Sequence, residues 1–136
     1  MKKLLLLPAV CLVLFGCADK KAQEQSLMDS VIAVHQKDMG TDEQLLKNKT
    51  VLDSLAKKTA AAALTDSVKL VLDKVIMADS AMDVWMHGFN PDLTTKPHDA
   101  NMAYLAKQKK LIMQVDSQLN AALGVSTKFI AKTKTK

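Results

Sequence analysis

Between Leu27 and Leu123, apolar residues recur every three or four positions in three runs, the spacing of side chains along one helix face. The first run is Leu27, Val31, Val34, Leu45, Leu52 and Leu55, with a gap around Met39-Gly40-Thr41. Gly40 either kinks this segment or divides it, with Thr41 as N-cap and Gln44 completing a capping box. The second run is Leu64, Val68, Val71, Val75, Ala78, Met82, Trp85 and Phe89. Thr65 or Asp66 caps its start, unless Ala60 to Ala63 extend it backwards. Gly88, Asn90 and Pro91 supply a terminator and a turn. The following loop, Asn90 to Pro97, holds two prolines, which a helix interior does not accommodate. The third run is Leu105, Ile112, Val115, Leu119 and Ala122, flanked by Tyr104, Leu111 and Leu123 and closed by Gly124. Short connections between three amphipathic helices predict an all-α, antiparallel three-helix bundle, or a four-helix bundle if the first helix breaks at Gly40.

Ahead of these runs lies a different pattern. Met1-Lys2-Lys3 precedes an apolar stretch from Leu4 to Phe15 interrupted only by Pro8, the charge and hydropathy profile of a secretory signal. A spanning helix needs roughly 20 apolar residues, so this stretch is too short to cross a bilayer. Leu14-Phe15-Gly16-Cys17 looks like a lipobox, with the bulky Phe15 where lipoproteins usually carry a small residue. The expected organisation is a signal peptide over 1–16, a lipidated Cys17 and polar tether over 17–25, a bundle over 26–124, and a basic tail over 125–136. Cys11 leaves with the signal, and the remaining thiol carries lipid, so no disulfide is available. Each buried methylene contributes about 0.8 kcal/mol, and stable anchoring takes more than one acyl chain, palmitate being the usual kind. Ala18, rather than Asp, after the cysteine favours the outer membrane.

Composition supports helices: aromatics are 4% of the chain, with four glycines and three prolines. The formal charge of +5 overstates attraction to acidic partners, because Lys2 and Lys3 leave with the signal and four lysines sit in the C-terminal tail. Arginine is absent. Nucleic-acid binders depend on its bidentate contacts, and that function class is set aside.

Catalytic motifs are missing: the chain has no G-x-S-x-G, phosphate-cradling glycine loop, H-E-x-x-H or C-x-x-C, and the expectation is a non-enzymatic protein. The chemical signal that remains is methionine and histidine spacing. His35 and Met39, Met82 and Met86, and His98 and Met102 are each four apart, with His87 beside Met86. Residues four apart share a helix face, and thioether with imidazole suits copper or another soft metal. Against this, methionine fills gaps in helical cores, and Met82 falls on the core seam.

At Asp79-Ser80-Ala81-Met82-Asp83-Val84-Trp85-Met86-His87-Gly88-Phe89 the chain resembles the A-M-M-D-W-M-H-x-F segment of small Bacteroidota-type lipoproteins, sometimes labelled "viral A-type inclusion protein". Val34-His35-Gln36-Lys37-Asp38-Met39-Gly40 is similar to that family's V-H-D-E-V-M-P stretch, with Gln36 and Lys37 replacing two acids and Gly40 the proline. Tyr104-Leu105 followed by Lys107 to Lys110 corresponds to the opening of its last helix. The resemblance implies an envelope address and helices without implying an activity. The expected function is therefore structural or partner-binding: an envelope lipoprotein held to the membrane by lipid, engaging another envelope protein. The alternative is a copper-handling protein using His35, Met39, Met82, Met86, His87, His98 and Met102.

Overall fold

The computed structural model describes residues 12–58 and 62–134, with side chains described from residue 19 and, after the interruption, from residue 64. Most of the expected signal peptide, with Cys11, and the Cys17 side chain lie outside the described residues, as do Ala60 and Ala61. Three helices pack together: α1 (Leu12–Lys58), α2 (Ala62–Gly88) and α3 (His98–Lys134). Cross-helix contacts give their directions. Glu24, Lys37 and Asn48 of α1 meet His98, Asp116 and Ser126 of α3 in the same order, so α1 and α3 run parallel. His35 stacks on Trp85 while the later Asp42 feels the earlier Asp79 and Asp83, so α2 runs the opposite way. Among the described helices, none is long and apolar enough to cross a membrane.

The core follows the predicted runs. Val31, Leu45, Leu52, Val68, Val75, Met82, Leu105, Ile112 and Leu119 have no exposed surface. At about 1.5–3 kcal/mol for each large apolar side chain removed from water, this seam dominates the stability of the bundle. Leu64 alone of the second run stands in solvent.

Three expectations are corrected. First, α1 does not break at Gly40; one helix runs through it. A helical glycine costs about 1 kcal/mol relative to alanine, which is less than the burial of Leu45 or Leu52 that an unbroken register secures. Second, residues 18–25 form helix rather than a loose tether. Ala, Lys, Gln and Glu there are good helix formers, and hydrogen bonds four residues apart link Gln23 to Asp19 and Gln25 to Asp29. Third, Gly124 does not close α3, which continues to Lys134. Ser126 and Ile130 extend the buried seam, and Asn48 of α1 donates to the hydroxyls of Ser126 and Thr127 at 2.9 Å. The expected basic tail is therefore part of the bundle through Lys134.

Candidate functional site

Two features of the bundle depart from a plain apolar core: polar groups buried on its seams, and an apolar face left in solvent. The first begins in α1. Val31, Leu45 and Leu52 are spaced by seven or multiples of it, and the place between Val31 and Leu45 is occupied by Asp38, which has no exposed surface. Asp42, one turn later, is also buried. The gap in the first apolar run is thus a seam position filled by acid, and the unbroken spacing from Val31 to Leu45 was the signal that could have revealed it.

No donor reaches either carboxyl oxygen of Asp38, and the Asp116 carboxyl of α3 lies beside it. Two carboxylates cannot hydrogen bond unless one holds a proton. Burial, followed by the bond and repulsion from Asp116, pushes Asp38 up to about 7. Lys37, which pairs with Asp116 at the surface, and the proton on Asp38 hold Asp116 below the usual range. The pair thus divides into a proton-holding buried partner and an ionised outer one. Asp42 is likewise raised, by burial first and then by Asp79 and Asp83 across the α1–α2 interface. Asp38 is enclosed, so this proton is coupled to packing rather than offered to a substrate.

An aromatic ladder crosses the same end of the bundle. His35 of α1 lies 5.3 Å from Trp85, Trp85 stacks on Phe89 at 4.9 Å, and Phe89 faces Tyr104 of α3 at 6.3 Å. Lys96 sits 5.6 Å above the Tyr104 ring, within cation–π range. The Tyr104 hydroxyl accepts the Asn90 N–H at 2.7 Å. Buried Asn101 donates to the carbonyls of Leu93 and Lys96 and to Glu24, tying the 89–97 loop to α1 and α3. The conspicuous Trp85-to-Phe89 segment therefore builds the junction between α2 and the loop.

The predicted metal ligands sit in different surroundings. Met82 is enclosed in the core and Met86 packs against it. Met39 is exposed on α1, whereas Met102 lines a surface groove between α1 and α3 with Leu27 and Ser30. The three imidazoles have three different neighbours. His35 meets Trp85, and exposed His87 bonds the Asp83 carbonyl at 2.7 Å. His98 bonds Glu24 at 2.8 Å between α1 and α3. Those two acceptors require the proton on Nδ1. Among the described residues, no three or more His, Cys, Asp or Glu side chains are placed to hold a metal ion.

The second feature is on the outside. Leu70, Met77 and Val84 of α2 are 66%, 72% and 73% exposed, one every seven residues along the helix. Beside them, a shallow groove between α2 and α3 is lined by Ala81, Val84 and Gly88 on one wall and Leu111, Gln114 and Gln118 on the other. It continues past Met77, Ala121 and Val125. Single exposed apolar residues are ordinary, but three aligned on one helix beside an apolar groove are the kind of surface that interaction sites use. No family model matches the chain, and no curated protein or solved structure is detectably similar to it.

Proposed function

We propose that the chain is a non-enzymatic envelope lipoprotein, cut before Cys17, acylated there, and carrying an antiparallel three-helix bundle that engages a protein partner through its α2–α3 face. The observation that carries the partner-binding reading is the exposed strip Leu70, Met77 and Val84. Apolar side chains two-thirds exposed are left in water at a cost that association recovers, at about 25 cal/mol per Å² covered. The charged N-terminus, short apolar run and Leu14-Phe15-Gly16-Cys17 support the lipid anchor, as does the resemblance at Trp85-Met86-His87. Helix α1 runs from before Cys17 to Lys58, so in this reading the acylated cysteine lies on the bundle's own first helix.

Growth of cells expressing the chain in labelled palmitate tests the anchor. The full chain incorporates label and fractionates with membrane, and Cys17→Ala loses both. Equal labelling of the two chains, or none, rejects the anchor. For the partner, a photo-crosslinking residue at Val84 gives a discrete adduct in cells and one at Thr50, exposed on α1, does not. Absence of any Val84 adduct rejects the partner-binding half.

A further inference from the structure

We infer that the partner on the α2–α3 face is a second copy of this chain, packed by a two-fold axis beside Met77 with the two α2 helices antiparallel; this rests on the partner-binding reading above. Leu70 and Val84 lie seven residues either side of Met77. An antiparallel two-fold therefore sets Leu70 against the second copy's Val84 and brings the two Met77 side chains together. A strip that is symmetric about its own centre is what an isologous interface requires, since one patch must complement itself. The same operation carries Asp66 to the level of the second copy's Gly88, next to His87, at both ends of the strip; Asp66 and His87 are exposed. The imidazole's Nδ1 is held by Asp83, which leaves Nε2 pointing away for that contact.

Charge and area agree with self-association. After removal of Lys2 and Lys3 the chain is still net basic, so two copies meet best where charge is balanced. Along the strip, Asp73 stands beside Lys74, and the groove is otherwise lined by apolar residues and glutamines. On α3, Leu111 and Val125 sit seven residues either side of Gln118. A polar residue at one such seam position sets register in packed helices. A two-fold at Met77 overlaps residues 66–88 of α2 with their copy, about 35 Å of helix, and two adjacent helices present a face roughly 20 Å wide. The resulting face of about 700 Å² approaches the roughly 800 Å² each partner contributes to a standard stable interface.

The test uses the full chain in cells, expressed as two differently tagged copies with Met77→p-benzoylphenylalanine. Illumination is expected to give a product of twice the chain mass bearing both tags. Leu70→Glu with Val84→Glu, at positions exposed enough to leave the fold intact, is expected to reduce that product at least tenfold. Helicity and protease resistance of the double variant are measured alongside. The same photo-crosslinking residue at Thr50 is expected to give no two-tag product. A Met77 adduct with a different protein overturns the second copy while leaving partner binding in place. No adduct at all overturns both. A two-tag product that survives the glutamates, or forms equally from Thr50, overturns the face assigned here.

Discussion

The proton on Asp38 makes the stability of the bundle depend on pH. The perturbation is Asp38→Asn, which keeps the shape of the side chain and supplies an amide N–H that donates to Asp116 permanently. In the wild-type bundle, Asp38 sits at about 7 when folded against an ordinary 3.8. Its folded-state value is raised, so the folded chain holds one more proton than the unfolded chain between those values. The stabilisation is complete below the lower value and is lost as pH rises through the higher one. Each pH unit inside that window is worth about 1.4 kcal/mol, so the whole span is about 4 kcal/mol. A domain stable by about 5–15 kcal/mol loses a substantial fraction of its margin to this one group. Asp116, held low, adds stability that is lost only as pH falls through its depressed value, below the window. Asp42, raised by burial, acts in the same direction as Asp38. Urea denaturation of the bundle from Ala18 onward, followed by helical circular dichroism at pH 5, 6, 7 and 8, measures the effect. Wild type is expected to lose about 3 kcal/mol from pH 5 to 7. Asp38→Asn is expected to show a much shallower slope, the residue being due to Asp42, and to be the more stable protein at pH 8. A wild-type profile flat from pH 5 to 8, or a variant as steep as wild type, would refute the shared-proton account.

Three further outcomes follow from the packing. Gly40→Ala is expected to stabilise the bundle by about 0.5–1 kcal/mol, because an added Cβ meets nothing within 4 Å in an unbroken helix; thermal melting reads it, and a loss of stability contradicts a continuous α1. Asn101→Leu removes the donor that holds Leu93, Lys96 and Glu24 and is expected to cost about 1–3 kcal/mol, with amide exchange accelerated first in the 89–97 loop. Truncation after Gly124 deletes buried Ser126 and Ile130 and the Asn48 contacts. It is expected to lower the urea midpoint, whereas a solvated tail predicts no change.

What the pattern of apolar positions determined by itself is the all-helical class and nearly all of the core. Period-3.6 stripes arise from local geometry, so Val68 through Trp85 and Leu105 through Ala122 were legible without knowledge of any neighbour. Gly88 with Asn90 and Pro91 likewise marked a real end, since proline and glycine act on their own backbone. Gly40 and Gly124 misled, because a single glycine costs little beside a continued seam, and whether the seam continues is decided by the other helices. The acids were harder to read for a related reason, although the Val31-to-Leu45 spacing marked the place of Asp38. An aspartate reads as surface until a facing helix encloses it, and only tertiary packing brought Asp116, Asp79 and Asp83 close enough to move its proton. The different surroundings of the methionines and histidines were decided in the same way. Spacing of four places two side chains on one face of one helix, but convergence between helices is set by how those helices pack. The exposed strip at Leu70, Met77 and Val84 completes the contrast. Its seven-residue spacing, away from the Val75 and Met82 seam, is written in the chain, yet only the packing of α2 on α1 and α3 shows how far Leu70, Met77 and Val84 stay uncovered.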